Sequence, residues 1–370
     1  MKILITGANG FIGKNLIAEL RNQGYTDLLE YDIDSDFGLL DVYTRDCQYV
    51  FHLAGVNRPE NQAEFMSGNF GFTSQLLDAL KKNSNKSPVL ITSSTQAELK
   101  NPYGQSKRAG EELMFQYSKE TEVSVFVYRL PNVFGKWCRP NYNSAIATFC
   151  NNIANDLPIQ VNDPNVELNL VYIDDVVSTF INRLITKDTL AESQYEKINP
   201  VYTIKLGDVV SLLYQFKESR DNLQALNMND AFTKKIYSTY LSYLPKDRFS
   251  YPLKMNIDNR GSFTEFLKSS DRGQVSINIS KPYITKGNHW HHTKNEKFLV
   301  VSGNGVIRFR KIDSEEVIEY FVSGEKLEVV DIPVGYTHNI ENLGDTDMVA
   351  IMWVNEIFDK ERPDTFFLEV

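Results

Sequence analysis

Cysteine is scarce in this chain, and basic residues are outnumbered by acidic ones. The 370 residues contain three cysteines, Cys47, Cys138 and Cys150, without the spacing of a disulfide framework or a zinc site. This usage fits a reducing compartment. Lys and Arg number 39 against 48 Asp and Glu, and the net charge is −9. The acidic balance argues against nucleic acid and anionic membrane surfaces as partners.

The hydrophobic pattern of the sequence also predicts no membrane-spanning helix and no secretory leader. No apolar run approaches the roughly 20 residues that a transmembrane helix needs. The sequence opens on Met-Lys-Ile-Leu-Ile-Thr-Gly, which predicts a strand at once and leaves no room for a signal peptide. We therefore expect a soluble, cytoplasmic protein. The length and a hydrophobic fraction of 42% predict two or three domains with ample core.

A glycine-rich turn follows the first predicted strand, residues 2–6, and leads into a helical pattern through Leu20. Glycines at this spacing allow a tight turn, a close backbone approach to a pyrophosphate and close helix–strand packing. The free N–H groups of the helix then face the phosphates. The segment predicts a dinucleotide site that includes Gly7, Asn9, Gly10, Phe11, Ile12 and Gly13.

Strand and helix patterns alternate after this turn, which predicts an α/β fold with a doubly wound parallel sheet, a Rossmann domain. Further strands are expected at 28–31, 49–53, 89–92 and 123–129, and a helix at 70–82. Ligands bind at the carboxyl ends of such strands, where Asp32, Ala54, Gly55 and Ser93–Thr95 lie. An acid at Asp32 suits hydrogen bonding to a ribose diol, which is the preference of NAD-binding sites. Other acids surround Asp32, so a solvent-exposed acid at the end of a strand is the alternative.

Tyr103 and Lys107 are four residues apart, and a helix opened by Pro102 would place both side chains on one face. A Tyr hydroxyl titrates at about 10, and a nearby ammonium lowers that pKa. Such a pair can donate a proton to a carbonyl oxygen or remove one from an alcohol. Two exposed residues on an ordinary helix are the alternative when the pair is considered alone.

Taken in order, these motifs resemble the extended short-chain dehydrogenase/reductases that act on nucleotide sugars. The resemblance covers about 175 residues. Its pieces are Gly7–Gly13, His52–Gly55, Asn69 with Gly71 and Thr73, Ser93-Ser94, Tyr103 with Lys107, Arg129–Gly135 and Tyr172–Val176.

The resemblance implies a role for each matched residue. Tyr103 would be the acid/base, Lys107 would hold the ribose and lower the tyrosine pKa, and the Ser94 hydroxyl would hold the substrate oxygen, with Thr95 in reserve. The cofactor and sugar pocket would be lined by Leu53, Ala54, Gly55 and the Arg129–Gly135 segment, in particular Leu130 and Asn132. Helical patterns at 144–155, 175–185, 206–216 and 230–242 would form a small substrate lobe, which completes a first domain of residues 1–243.

Beyond residue 243 the helical periods give way to short alternating runs. These runs cover residues 274–279, 296–301, 305–310, 317–322, 326–332 and 348–354, with Gly and Asn turns between them. Regular short strands with such turns predict an all-β sandwich or small barrel. Residues 244–370 therefore form the predicted second domain.

Four of the five histidines of the chain lie in this second domain. On a strand, His289 and His291 point to one side and His292 to the other. With Glu296 and His338, their spacing resembles the two motifs of the cupin barrels. Three imidazoles and a carboxylate suit zinc, and also manganese, iron or nickel. Histidines without a metal are the alternative.

Residues 258–265 resemble the opening of the cupin sugar 3,5-epimerases. Those enzymes use a histidine that binds no metal as their base. This sequence has a metal-type ligand set instead, so the resemblance assigns no catalytic base here. A 4-keto group acidifies the neighbouring C–H bonds, so a base can invert C3 before reduction of C4 fixes the new stereochemistry. The order of reactions is therefore epimerisation and then reduction.

The fusion as a whole resembles bifunctional enzymes of capsular polysaccharide precursor synthesis. That resemblance implies C3 epimerisation of a UDP-2-acetamido-2,6-dideoxy-4-keto-hexose by the cupin, followed by reduction of C4. The product would be UDP-N-acetyl-6-deoxy-L-talosamine, on the route to UDP-N-acetyl-L-fucosamine. It also implies NADP(H), with NAD(H) as the alternative, one divalent metal, most simply zinc, and a homodimer.

Two other functions share part of this pattern. The first is an NAD-dependent UDP-sugar C4-epimerase or dehydratase whose cupin is a structural, metal-stapled dimerisation module. Dehydratases carry two acids beside the hydroxyl position, whereas Ser94-Thr95-Gln96 has none. The second is a cupin dioxygenase.

Overall fold

A computed structural model of the chain describes residues 1–186 and 194–370. The contacts divide these residues into two units. The first unit comprises residues 1–214 and 228–245, and the second comprises residues 215–227 and 246–370.

The first unit contains helices and mostly parallel strands. The helices are α1 (Phe11–Asn22), α2 (Gly38–Asp46), α3 (Ala63–Phe65), α4 (Phe72–Lys82), α5 (Pro102–Thr121), α6 (Ala145–Ala154), α7 (Ile173–Ile185), α8 (Leu206–Asn222), which runs on into the second unit, and α9 (Ala231–Leu241). The strands are β1 (Ile3–Thr6), β2 (Leu28–Tyr31), β3 (Tyr49–His52), β4 (Val89–Ser94), β5 (Val125–Leu130), β6 (Asn132–Phe134), β7 (Glu167–Tyr172), β8 (Gln194–Glu196) and β9 (Tyr202–Lys205).

A parallel sheet in the order β2-β1-β3-β4-β5-β8 forms the centre of this unit. Successive side chains of β1 are buried on opposite faces, Ile3 and Ile5 against the core that includes α1 and α7, and Leu4 against the core that includes α4 and α5. Burial on both faces explains the continuous apolar runs of these strands. The predicted doubly wound fold is confirmed.

The small lobe contains more strand than its sequence predicted. β6, β7 and β9 form a separate sheet, with β6 parallel and β9 antiparallel to β7. β7 alternates polar and apolar residues only over residues 167–170, and a helix begins directly after the strand at Ile173, so the period-2 signal in the sequence is short. α8 is also longer than the predicted 206–216.

The second unit is antiparallel throughout its described strands. They are β10 (Met255–Asp258), β11 (Gly261–Ser269), β12 (Gly273–Ser280), β13 (Thr285–Trp290), β14 (Glu296–Ser302), β15 (Asn304–Lys311), β16 (Val317–Ser323), β17 (Val329–Ile332), β18 (Tyr336–Asn342), β19 (Met348–Val354) and β20 (Phe366–Phe367). They form two sheets, in the orders β10-β11-β12-β19-β14-β17 and β16-β15-β18-β13-β20. A core that includes Phe298, Ile307 and Phe309 draws residues from both sheets. The predicted all-β region is confirmed.

Residues 215–227 belong to the second unit because their backbone pairs with β11. Lys268 N–H donates to Leu223 O at 2.8 Å, and Ala225 N–H donates to Lys268 O at 2.6 Å. This pairing is non-local and leaves no periodic signal in the sequence. The predicted domain boundary between residues 243 and 244 stays a prediction.

Within residues 1–186 and 194–370, none of the helices combines the length and the apolar character needed to cross a bilayer.

Candidate active site and candidate metal centre

The loop between β1 and α1 permits a close backbone approach. Gly7 has φ +72°, and a Cβ at this position would lie 2.7 Å from the backbone nitrogen of Ala54. α1 begins at Phe11, and its N-cap residue Gly10 has no side chain to accept the free N–H groups of the first turn. The loop therefore fits a pyrophosphate. The side chains of Phe11 and Ile12 are partly buried and pack against the core.

Asp32 follows β2 and reaches the glycine loop. Its Oδ2 accepts a hydrogen bond from the backbone N–H of Asn9 at 2.7 Å, and its Oδ1 accepts one from Ile33 N–H at 2.8 Å. Gly13 is buried one turn into α1, where a Cβ would lie 2.8 Å from Ala8 O. The segment thus places Asp32 against Asn9, and Gly13 against Ala8 at the start of the loop.

The segment after β3 lies beside the predicted catalytic lysine. A Cβ on Gly55 would be 2.8 Å from Lys107 Nζ and 2.9 Å from Asn69 Oδ1. Leu53 N–H donates to Thr6 O at 3.1 Å, which continues the pairing of β1 with β3. Leu53, Ala54 and Gly55 therefore lie at the carboxyl edge of the sheet, next to both the glycine loop and Lys107.

Helix α5 begins where its sequence predicts, with Pro102 in the first turn. Asn101 caps the helix, and its Oδ1 accepts a hydrogen bond from Gly104 N–H at 2.7 Å. Lys107 Nζ lies 6.0 Å from the centroid of the Tyr103 ring. The two side chains share one face of the helix.

The Tyr103 hydroxyl faces two partners at the carboxyl ends of β3 and β4. It donates a hydrogen bond to Asn57 Oδ1 at 3.0 Å. Burial raises the pKa of Tyr103, and a hydrogen bond with Ser94 lowers it by less. This direction is opposite to the one expected from Lys107, because burial of the phenol outweighs the other influences on it.

Lys107 is buried, and few polar groups stabilise its positive charge. Its Nζ donates to Thr92 O at 3.3 Å. Burial lowers the pKa of Lys107 to about 8, although the carboxylate of Glu111 acts in the opposite direction. The amine is therefore close to its titration point near neutral pH.

The remaining predicted residues of this site differ in exposure. Ser94 ends β4, is half-buried and caps the following turn by accepting Gln96 N–H at 3.2 Å. Thr95 and Asn132 are exposed. The Leu130 side chain is 5% exposed and belongs to the hydrophobic core, so its predicted cofactor contact can involve only its backbone.

Arg129, the first residue of the Arg129–Gly135 motif, is held by a buried carboxylate. Glu111 is fully buried and accepts hydrogen bonds from Arg129 Nη2 at 2.6 Å and from Ser93 Oγ at 2.5 Å. Hydrogen bonding with Glu111 raises the pKa of Arg129. These charge-assisted bonds join α5, β4 and β5 and hold the guanidinium of Arg129 against Glu111.

A cavity of about 670 Å³ in the first unit is lined by polar side chains that the sequence did not single out. They include Arg58, Asn143, Thr148, Gln160 and Asn162, with Phe149 as an aromatic wall. Arg58 Nη1 donates to Tyr142 O at 2.5 Å and to Asn141 O at 3.2 Å. A cation, several amides and an aromatic ring suit a polar ligand with a flat ring.

In the second unit, His289, His291, Glu296 and His338 converge. One ligand atom from each lies within 4.8 Å of the others. Glu296 Oε2 is 3.2 Å from His338 Nε2 and 3.6 Å from His291 Nε2. These three atoms are buried and have no hydrogen-bond partner within the described residues. Such orphaned atoms, in a set of three imidazoles and a carboxylate, fit a divalent metal.

The tautomer of His291 is fixed by the C-terminal segment. Its Nδ1 faces Asp364 O at 2.6 Å, which leaves Nε2 free to bind a metal. The Asp364 carboxylate accepts the backbone N–H groups of His292 at 3.1 Å and of Thr293 and Lys294 at 2.9 Å. Although burial opposes it, these bonds hold the pKa of Asp364 well below its usual range.

The electrostatics of the cluster favour the protonation states that a metal requires. Burial lowers the pKa of His289 to about 4, so the imidazole is neutral at physiological pH. Burial alone would raise the pKa of Glu296, but its interactions with His291 and His338 hold that pKa well below the ordinary range. A neutral imidazole and an ionised carboxylate are the ligand forms.

The cluster opens into a cavity of about 520 Å³ that also holds charged side chains, namely Asp258, Arg260 and Lys286. Lys286 is half-buried, and its Nζ donates to Asn278 Oδ1 at 2.9 Å and to Ile279 O at 2.8 Å. Burial lowers the pKa of Lys286. The cavity therefore combines the candidate metal ligands with a positioned cation.

Sequence reasoning missed Asn57, Lys286 and Asp364, for different reasons. Asn57 lies in the Asn-Arg-Pro stretch just after the third predicted strand, so its nearness to that strand end could have indicated a role in the site. Lys286 precedes the first histidine motif by one residue on the same strand. Asp364 lies about 70 positions from the residues it holds, and nothing in the local sequence links them.

Comparison with known proteins now places the chain. The NAD dependent epimerase/dehydratase family matches residues 3–196, and the polysaccharide biosynthesis C-terminal domain matches residues 256–366. The chain belongs to the NAD dependent epimerase/dehydratase family.

Two relatives extend over the whole chain. A Pseudomonas aeruginosa protein named UDP-2-acetamido-2,6-beta-L-arabino-hexul-4-ose reductase is 46% identical over 370 residues, which cover 100% of this chain and 99% of that protein. The crystal structure of capsular polysaccharide assembling protein CapF from Staphylococcus aureus has 56% identity, a TM-score of 0.94 and full coverage of both chains. The predicted resemblance to a two-part capsular enzyme is confirmed.

A more distant structure matches only part of the chain. UDP-glucuronic acid 4-epimerase from Bacillus cereus is 24% identical, with a TM-score of 0.52, and the match covers 59% of this chain and 83% of the epimerase. At this identity the likeness concerns the fold alone.

Proposed function

We propose that this chain is a bifunctional nucleotide-sugar enzyme of capsular polysaccharide precursor synthesis. The second unit epimerises C3 of a UDP-2-acetamido-2,6-dideoxy-4-keto-hexose, and the first unit then reduces C4. The observation that carries the proposal is the presence, in one chain, of the Tyr103–Lys107 pair at a dinucleotide-type sheet edge and a metal-type His/Glu cluster inside a separate cavity. The name of the Pseudomonas relative specifies a 4-keto UDP-sugar as its substrate.

The first unit supplies the groups for reduction. The glycine loop and the edge residues Leu53–Gly55 hold a nicotinamide dinucleotide, which supplies hydride when bound. Tyr103 donates its hydroxyl proton to the sugar O4, and Ser94 orients that oxygen. The ammonium of Lys107 stabilises the phenolate that remains. The amide-lined cavity beside Arg58 receives the nucleotide part of the substrate.

The second unit holds the groups that would stabilise the negative charge that develops when a base removes the C3 proton. His289, His291, Glu296 and His338 would hold a divalent cation, zinc by preference, which would supply positive charge next to the substrate oxygens. Lys286 presents a second positive charge to the same cavity. The 4-keto group is needed for C3 acidity, so epimerisation precedes reduction.

The cofactor class is a nicotinamide dinucleotide, as the family membership states. NADP(H) was predicted by resemblance, with NAD(H) as the alternative, and the surroundings of Asp32 bear on that choice below. Zinc as the metal, a homodimeric assembly and a cytoplasmic location stay predictions.

One experiment tests both activities. The full-length protein is incubated with a UDP-2-acetamido-2,6-dideoxy-4-keto-hexose in deuterated water, with and without NADH or NADPH. We expect deuterium at C3 without a reductant, and consumption of the reductant with formation of a 4-hydroxy sugar when it is added. Absence of both would refute the proposal, whereas C4 inversion without net cofactor oxidation would identify a C4-epimerase.

A further inference from the structure

Asp32 is held in one orientation beside the glycine loop. The N–H of Asn9 binds Oδ2, the N–H of Ile33 binds Oδ1, and Ser35 Oγ accepts the Asp32 backbone N–H at 2.9 Å. Both carboxylate oxygens are anchored by backbone groups, so the carboxylate cannot easily rotate away from a ligand at the loop.

We propose that Asp32 makes the reductase unit select NADH over NADPH. This inference rests on the proposed function, in that the unit binds a reduced nicotinamide dinucleotide. It opposes the NADPH preference that the family resemblance implies. In a doubly wound sheet the acid after the second strand meets the ribose of the adenosine half, which carries a 2′-hydroxyl in NADH and a 2′-phosphate in NADPH.

The hydrogen-bonding capacity of Asp32 suits the hydroxyl form. An ionised carboxylate has about four acceptor positions, and two of them are used by Asn9 and Ile33. The remaining positions can accept the ribose hydroxyl protons. A 2′-phosphate has no such proton near neutral pH, and its charge of about −2 repels the carboxylate.

The segment around Asp32 offers no positive charge to a 2′-phosphate. Residues 22–44 contain no Lys, Arg or His, while Asp34 and Asp36 follow Asp32 directly. The two flanking arginines are engaged elsewhere, Arg21 with Glu30 at 2.6 Å and Arg45 with Asp41 at 2.9 Å. Within the described residues, none of the three acids at positions 32, 34 and 36 has an ion-pair partner.

The test is a binding titration of the full-length protein with NADH and with NADPH, without a sugar, by calorimetry and by nicotinamide fluorescence. We expect NADH to bind about tenfold more tightly or better. Asp32→Asn keeps the shape but removes the charge and one of the two oxygens that accept backbone N–H groups, and it should reduce the preference by about tenfold. Asp34→Asn removes the same charge two residues further on, from an exposed position, and should leave the preference unchanged.

Each outcome decides the inference. Equal or tighter binding of NADPH by the unaltered protein overturns it while leaving the proposed function intact. Equal effects of Asp32→Asn and Asp34→Asn assign the preference to the acidic segment and overturn the role of Asp32. Failure of a folded protein, verified by circular dichroism, to bind either nucleotide refutes the proposed reductase itself.

Discussion

In the proposed reduction the Tyr103 hydroxyl donates the proton, and this hydroxyl is held by Asn57 and Ser94. Tyr103→Phe removes the proton that the sugar oxygen needs. General acid catalysis contributes roughly 10²- to 10⁴-fold, so we expect the rate of reduction to fall by about that factor. Deuterium incorporation at C3, measured by mass spectrometry on the same samples, should be unchanged.

Tyr49→Phe is the matched control, because it removes a buried hydroxyl that has no hydrogen-bond partner in the described part of the chain. Its reduction rate should equal that of the unaltered protein. Loss of C3 exchange in Tyr103→Phe would mean that one centre carries out both reactions.

Lys107 gives a prediction about stability and pH. Its folded pKa of about 8 lies below the value of about 10.4 for an unfolded chain. Between these values the unfolded chain binds more protons, so the stability of the unaltered protein rises with pH. Lys107→Met removes the cost of burying the charge, at most about 3 kcal/mol.

We therefore expect Lys107→Met to melt at an equal or higher temperature than the unaltered protein at pH 7, with the difference shrinking towards pH 10. Differential scanning calorimetry measures both. Lys119→Met, at an exposed position on the same helix, should show no such pH dependence. A variant that is less stable at pH 7 would mean that the bond of Lys107 to Thr92 outweighs its burial.

Asp364 holds the segment that carries His291 and is not itself one of the candidate metal ligands. Asp364→Ala removes the acceptor of three backbone N–H groups next to His291. Outer-shell changes typically cost 10- to 100-fold in metal affinity, and we expect about that loss here. Competition with a chelator, followed by elemental analysis, measures it. Asp359→Ala, from the same C-terminal segment, should retain the metal, and equal losses in both variants would indicate general fraying.

At the scale of elements, the stability of the first turn of α5 should affect the reduction rate, because Tyr103 lies in that turn. Asn101→Ala removes the cap that accepts Gly104 N–H, and such a loss costs about 1 kcal/mol. Tyr103 lies in this first turn, so fraying should also lower the reduction rate several-fold. Asp230→Ala removes a similar cap from α9, where Thr233 N–H is accepted at 2.7 Å. It should lower the melting temperature comparably without slowing reduction.

Elements were predictable where the deciding signal is local. The glycines at 7, 10 and 13 lie next to the strand and helix they join, and Pro102 marks its own helix start. β7 and the pairing of residues 223–225 with β11 depend on partners far away in sequence. The same holds within the sites. The spacing of His289, His291 and Glu296 could be recognised in the sequence, whereas the contact of His291 with Asp364 could not.

At the scale of the whole molecule, the order of reactions leads to a prediction about two defective chains. Tyr103→Phe should epimerise but not reduce, and His338→Ala, which loses a candidate metal ligand, should reduce but not epimerise. The epimerised keto sugar is a small diffusible molecule. Mixing the two variants should therefore restore formation of the reduced, C3-inverted sugar, detected by nuclear magnetic resonance.

The restored rate should rise with the concentration of each variant, because the intermediate passes through solution between independent centres. Tyr103→Phe combined with His338→Ala in one chain is the control and should form no product at any concentration. If the two single variants retain their separate activities yet their mixture yields no product, the intermediate does not leave the chain on which it forms. The passage of the intermediate through solution would then be wrong, although the two centres would remain separate.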